Sequence, residues 1–226
     1  MLVLARHING TLVEASDGKV GKLCDLLFDE QSWSIRQLVL DGGTWLNRRR
    51  VTIPPDIVQQ KDWADHRLLI TGLTRQQVID SPGTETHIPV PERTLEEVTI
   101  MDWEIYWVDT LNHPWQVPGD PRLCSIHEVT GYHLQAIDGP IGHVADFVVD
   151  DQAWAIRFLA IDTRNWWPGK HVLVAPNRVE VLDRPNRTLG LSIPRDAIEH
   201  SPQYRDSIPL DGPREMVAGG PSGRGQ

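Results

Sequence analysis

Residues Asp17–Asp41 read DGKVGKLCDLLFDEQSWSIRQLVLD, and 121 positions later, without a gap, Asp138–Asp162 read DGPIGHVADFVVDDQAWAIRFLAID. Over Gly10–Val58 against Gly131–Val179, 17 of 49 positions are identical. A chain that repeats itself in this way has to build one structural unit twice. One residue is then lost and the match resumes, LTRQQVIDSP (Leu73–Pro82) pairing with IPRDAIEHSP (Ile193–Pro202) and HIPV with SIPL. The 226 residues therefore divide into a first repeat at 1–82, a connecting segment at 83–122, a second repeat at 123–210 and a tail at 211–226. Each repeat is large enough for a modest hydrophobic core.

The identities fall on turns and on apolar anchors. Asp17-Gly18 and Asp138-Gly139 are hairpin signals between extended segments, with glycine supplying the positive φ of a tight turn. The stretch Trp33–Asp41 alternates, with Trp33, Ile35 and Gln37 on one side and Arg36, Leu38 and Leu40 on the other. Apolar residues on both faces toward its end fit a strand inside a closed or two-layer β structure. RRRVTIPP and KHVLVAP read as short strands stopped by proline, and HRLLITG and RTLGLSI as a further strand. Thr74 and Pro194 then open a short helical turn that ends at Ser-Pro. Five or six short strands in each repeat, with one brief helix, predict a mainly β chain of two tandem small barrels, because closure removes exposed strand edges.

The connecting segment has a different texture. Thr94 and Glu97 form a capping box, and Leu95, Val98, Met101, Ile105 and Val108 follow at helical spacing, with Trp103, Tyr106 and Trp107 on a neighbouring stripe. The tail DGPREMVAGGPSGRGQ is rich in Gly and Pro and poor in apolar residues, a composition that predicts disorder.

The Asp-Gly-x-x-Gly turn, the strand bearing Asp25 or Asp146, the Trp/Ile/Arg strand, the proline-ended VTIPP or VLVAP and the exit SP…IP(V/L) together resemble the PRC-barrel family. That family includes the cytoplasmic domain of the photosynthetic reaction centre H subunit and the C-terminal domain of a ribosome maturation factor. The resemblance spans roughly 2–90 and 123–210 and implies two PRC-type barrels that dock other macromolecules. Its motifs are structural punctuation, so they specify the fold better than an activity. The H subunit anchors itself with an N-terminal transmembrane helix. No apolar run here approaches the roughly 20 residues such a helix needs, so peripheral association with a membrane complex is what the resemblance leaves.

Several function classes recede on composition. The formal net charge is −9, and the one basic cluster is Arg48, Arg49 and Arg50, which disfavours a nucleic-acid partner. MLVLARHINGTLVEAS lacks a basic region and a small-residue cleavage site and reads as a first strand, so a cytoplasmic location is expected. Cys24 and Cys124 occupy non-equivalent positions and read as buried or half-buried thiols. The nine histidines form no metal or catalytic spacing, and no nucleophile elbow, P-loop or dinucleotide fingerprint occurs. The repeated acids Asp17/Asp138, Asp25/Asp146, Asp29/Asp150 and Asp41/Asp162 invite acid–base or cation chemistry, but most sit where Asp stabilises turns. Asp25 and Asp146, mid-strand, are expected to face outward or to pair with Arg36 and Arg157. No enzyme, metal or cofactor is therefore expected.

The nine tryptophans are the most unusual feature. Trp33 and Trp154 are expected to anchor the two cores. Trp45 and Trp166-Trp167 fall in equivalent loops, where they pack within the chain or present themselves to a partner. Trp103, Tyr106 and Trp107 have the same two readings, as a seam between barrels or homodimer contact, or as a foreign protein's seat. The functional expectation is a non-enzymatic docking or adaptor module with an unidentified protein partner. The competing reading is a small-molecule or catalytic site between the barrels, which predicts a cleft lined by Asp25, Asp146, His127 or His133. A ribosome or RNA role comes third.

Overall fold

In the computed structural model the described residues are 1–43, 50–70, 72–81, 122–163 and 171–201. The chain opens with β1 (Leu2–Leu4) and one turn of helix, α1 (Ala5–Ile8), followed by β2 (Leu12–Ala15), β3 (Gly18–Asp29), β4 (Ile35–Asp41), β5 (Arg50–Ile53), β6 (Gln60–Asp62), β7 (Arg67–Ile70) and α2 (Arg75–Ile79). The second repeat retraces this order. It runs β8 (Leu123–Ser125), α3 (Ile126–Val129), β9 (His133–Ala136), β10 (Gly139–Asp150), β11 (Ala155–Asp162), β12 (His171–Val174), β13 (Val179–Asp183), β14 (Thr188–Leu191) and α4 (Arg195–Glu199). Thr74 caps α2 in a full capping box with Gln77, as its position in the sequence predicts.

Each repeat forms most of a seven-stranded sheet. The first has the order β5-β4-β3-β2-β7-β6 and the second β12-β11-β10-β9-β14-β13. The fold is mainly β, as expected, but the sheets do not close into barrels. In each sheet the two ends of the order are joined through a proline-led 3-10 turn, Pro55–Ile57 in one and Pro176–Arg178 in the other. Proline has no N–H to give to a ladder, so the pairing that would seal the cylinder is not continued there.

The seventh strand of each sheet comes from the other repeat. β1 pairs antiparallel with β10, Val3 facing Val149, and β8 pairs antiparallel with β3, Cys124 facing Phe28. The helices that follow go with them, so α1 packs against β10 and α3 against β3. The expectation that each half is a self-contained cylinder is therefore corrected to a reciprocal exchange of arms. One hydrophobic cluster runs through both repeats as a result, from Ile8, Leu26 and Phe28 to Val129, Phe147 and Ile156. At its centre the Phe28 and Phe147 rings lie 5.9 Å apart.

Trp33 and Trp154 sit at the seam instead of in separate cores. The Ile35 amide donates to the Trp154 carbonyl at 2.7 Å, and the Ile156 amide to the Trp33 carbonyl at 2.8 Å. Both tryptophans are buried and take positive φ, 57° and 46°, a conformation that costs a bulky residue about 1–3 kcal/mol. The crossed hydrogen bonds and the shared core hold them in it.

Two bulges in the β3–β4 pair and two in the β10–β11 pair explain where the strand pattern departs from simple alternation. Leu27 pairs with Gln37 and Phe28 with Ile35, so Arg36 is the extra residue, exposed, and Ile35 turns onto the same core as Leu38 and Leu40. The second bulge lies between Leu23 and Asp25 and between Val144 and Asp146. It places Leu23, Leu26 and Phe28 in the core together. The shared Gly21 and Gly142 allow adjacent strands to meet closely. A Cβ on Gly21 would lie 2.3 Å from the Asp41 carbonyl oxygen, and one on Gly142 would lie 2.1 Å from that of Asp162.

Candidate functional site

The aromatic residues singled out in the sequence, Trp45, Trp166, Trp167, Trp103, Tyr106 and Trp107, lie outside the described residues. So do the capping box at Thr94 and the tail. The repeated acids are described, and they show two kinds of use.

Asp25 and Asp146 do not pair with Arg36 and Arg157 as the sequence suggested. The bulge beside each aims its carboxyl at the arm of the other repeat. Asp25 Oδ1 accepts the Leu26 amide at 2.8 Å and the His127 amide at 3.1 Å, and Oδ2 accepts the Ser125 hydroxyl. Asp146 Oδ1 accepts the Phe147 amide at 2.8 Å and the Arg6 amide at 3.3 Å, and Oδ2 faces Arg6 Nε at 3.4 Å. Each carboxylate thus takes a first-turn amide of the exchanged helix, satisfying a donor that has no partner within the helix. Burial pushes both carboxyls above the usual range, and the hydrogen bonds to their amides pull the other way. Arg157 binds Asp150 instead, Nη2 to Oδ2 at 2.8 Å.

The other repeated acids hold turns and helix starts. Asp17 accepts the Arg75 amide at 2.7 Å and Asp138 the Arg195 amide at 2.8 Å, at the openings of α2 and α4. Asp29 Oδ1 accepts the Ser32 amide at 2.7 Å together with the Gln31 amide and the Ser32 hydroxyl. Burial alone would raise Asp29, but those three donors hold it below the usual range. Asp150 is likewise lowered, the Arg157 guanidinium and the Gln152 amide outweighing its burial. Asp41 accepts the Gly43 amide at 2.8 Å. Asp162 is buried between His143 and His171, whose Nε2 atoms lie 3.9 and 3.8 Å from its Oδ2. Among the described residues no group of three or more His, Cys, Asp or Glu is arranged to hold a metal ion.

Two concave features stand out among the described residues. The first, about 160 Å³, lies where the exchanged arms meet the bulges, lined by Arg6, Asn9, Cys24, Asp25, His127, Thr130 and Asp146 with their apolar neighbours. Its lining includes the cleft residues Asp25, Asp146 and His127 expected from the sequence. His133 is not among them. Its size suits a handful of water molecules and falls short of the roughly 300 Å³ at which drug-sized ligands are usually enclosed. Backbone amides occupy the Oδ1 of each acid and the Ser125 hydroxyl the Oδ2 of Asp25, while Asp146 Oδ2 is buried with no hydrogen-bond partner and faces the Arg6 guanidinium. Cys24 belongs to the same lining, and burial pushes its thiol up to about 11, away from the reactive thiolate. Burial takes Cys124 to about 12.

The second feature is an open groove of about 650 Å³ between the two repeats. Its walls are the turn Glu30–Trp33 of the first repeat and the stretch from Ala175 to Leu182 of the second. Val181 projects there, 57% exposed, one of three large hydrophobic side chains exposed among the described residues. No sequence signal marked this groove, because its walls lie about 145 residues apart in the chain and meet only through the exchange.

No curated protein matches the chain. Among the described residues no helix is long and apolar enough to cross a membrane. The family model of the PRC-barrel domain matches residues 4–77, the stretch that begins at the end of the exchanged strand and ends inside α2. On that match residues 4–77 are similar to the PRC-barrel domain, and the same strand order is built a second time in the second repeat.

Proposed function

We propose that this chain is a non-catalytic docking module, a rigid pair of fused repeats that presents an inter-repeat surface to a protein partner. The observation that carries this reading is the open groove beside Trp33 with Val181 exposed on its wall. The acids that could have served chemistry are used as internal caps. By its resemblance to the H subunit, the partner is a complex at the cytoplasmic face of a membrane. Trp45, Trp103, Tyr106, Trp107, Trp166 and Trp167 are further candidate contacts, and the acidic balance favours a protein over a nucleic acid.

Affinity capture from the native host, including its solubilised membranes, tests the reading with Trp107→Ala, Trp166→Ala and Val181→Asp as controls. A partner held by the wild type and lost with at least one variant is expected. Recovery of identical proteins by the wild type and all three variants refutes docking through these residues.

A second reading, a small ligand in the cleft between Asp25 and Asp146, is favoured by the lining the two repeats share there. It predicts that the double variant Asp25→Asn/Asp146→Asn loses affinity for a small metabolite while still capturing the protein partner.

A further inference from the structure

The two repeats carry equivalent notches at the seam, and among the described residues only one is covered in the way that follows. Beside Trp154, Lys61 Nζ stands 5.0 Å over the indole ring and donates to the Asp151 carbonyl. Trp63 meets the same indole edge-on at 6.5 Å, and its Nε1 donates to Asp151 Oδ2 at 2.6 Å. Lys61 lies on β6 and Trp63 opens the turn that follows it, so one short stretch of chain delivers both side chains to the Trp154 indole.

Register identifies the counterparts. Leu68 faces Lys61 across β6–β7, and its equivalent Leu189 faces Leu182 across β13–β14. Leu182 therefore stands where Lys61 stands, and Arg184 where Trp63 stands. Leu182 packs inward against the core. Arg184 reaches Glu30 Oε2 at 3.4 Å and Cys124 Sγ at 3.1 Å. Neither supplies an aromatic lid, and Trp33 instead stacks inward on Phe28 at 5.2 Å. Among the described residues nothing fills the groove beside Trp33 as Lys61 and Trp63 fill the other notch, and it has Val181 on one wall with Glu180 exposed next to it.

We propose that this groove seats a short segment of a partner protein carrying a basic side chain and an aromatic one at positions i and i+2, reproducing what Lys61 and Trp63 do in the other notch. Val181 and the edge of Trp33 give the ring an apolar wall, and the Glu180 carboxylate complements the cation. An exposed salt link of this kind contributes little by itself, so the ring provides most of the affinity and the charge sets orientation. The inference rests on the docking reading above and names the chemistry of the partner.

The test titrates the full chain with a synthetic peptide of the sequence VQQKDWADH, which copies residues 58–66, followed by backbone NMR and calorimetry. So small an interface predicts a dissociation constant on the order of 0.1–1 mM, with shifts centred on Ser32, Glu180 and Val181. Replacing the tryptophan of the peptide by alanine, or Val181→Asp in the protein, weakens binding roughly tenfold or more. Glu180→Lys weakens it less and removes its salt dependence. Shifts confined to Trp154 and its neighbours would mean that the peptide displaces β6, and the proposal fails. It fails equally if no shifts appear, or if binding appears only after residues 83–121 are excised, which would make the chain's own connecting segment the occupant. Host partners still captured by Val181→Asp reject the groove and leave docking elsewhere intact, whereas capture lost in parallel with peptide binding supports both.

Discussion

Severing the chain within residues 83–121 and separating the halves under denaturant leaves neither half able to fold as a monomer. The magnitude follows from the exchanged arms. The sheet of the second repeat loses Val3, Leu4 and Ile8, which are 5%, 3% and 0% exposed in the intact chain. Fully burying residues of this size contributes about 1.5–3 kcal/mol each, so the arm accounts for about 5–9 kcal/mol. The ladder from Leu2 to Leu4 against Val148–Asp150 goes with it, at about 1 kcal/mol net per hydrogen bond. The first repeat loses Leu123, Cys124, Ile126 and Val129 in the same way, all buried. Losses of that size match the 5–15 kcal/mol that a whole domain has in hand.

A protease site engineered into the segment provides the cut, and sedimentation equilibrium with thermal circular dichroism provides the readout. The separated halves are expected either to be unfolded or to pair with a second copy of themselves through the same arm. An equimolar mixture regains a 1:1 complex with a cooperative transition. A single half that sediments as a monomer and melts cooperatively refutes the reasoning, because it would show that each arm folds back onto its own sheet.

Asp25→Ala strips the caps from Leu26, His127 and Ser125 and is expected to cost about 1–3 kcal/mol in urea denaturation, whereas Asp25→Asn keeps the acceptor oxygen and costs less. The carboxyls of Asp25 and Asp146 titrate above their ordinary value, so the folded state favours their protonated form and loses stability as pH rises through the raised value. The melting-temperature gap between Asp25→Asn/Asp146→Asn and wild type must therefore shift in favour of the variant between pH 4 and pH 8, and a gap independent of pH refutes the sign. Asp29 and Asp150 are lowered, so Asp29→Asn is expected to cost more at pH 7 than at pH 3, because the wild-type contribution is itself lost as pH falls through the lowered value. Gly142→Ala places a methyl 2.1 Å from the Asp162 carbonyl oxygen at φ 126° and is expected to lower the yield of folded protein sharply, while Gly10→Ala, with open space around it, bears only the cost of its φ.

Much of the fold is written in local signals. Asp17-Gly18, Pro54-Pro55 and the capping box at Thr74 each act within a few residues, and each marks the start or end of an element where the structure has one. The duplication is equally plain, since identity at constant spacing needs no three-dimensional knowledge. The bulges were harder. The alternation of Trp33–Asp41 put Ile35 with Gln37, and the skipped Arg36 moved it to the face of Leu38. The one-turn helices at Ala5 and Ile126 are too short for any periodicity to show. The use of Asp25 was not legible, because its acceptor role joins residues 102 positions apart. An aspartate mid-strand reads the same whether it faces water or caps a helix from elsewhere.

The exchange itself was hidden for a deeper reason. Leu2–Leu4 and Leu123–Ser125 are both short and apolar, and each would suit β3 or β10, since those strands share their spacing and their aspartate. Local chemistry does not distinguish an arm that stays from an arm that crosses. Once the arms do cross, the two seams become parts of one molecule and can drift apart in sequence. One carries Lys61 and Trp63 as its cover, and the other carries Leu182 and Arg184. In a symmetric pair of separate chains both notches would be filled or both left open. Fusion permits the two notches to differ, and the docking proposal rests on that asymmetry among the described residues.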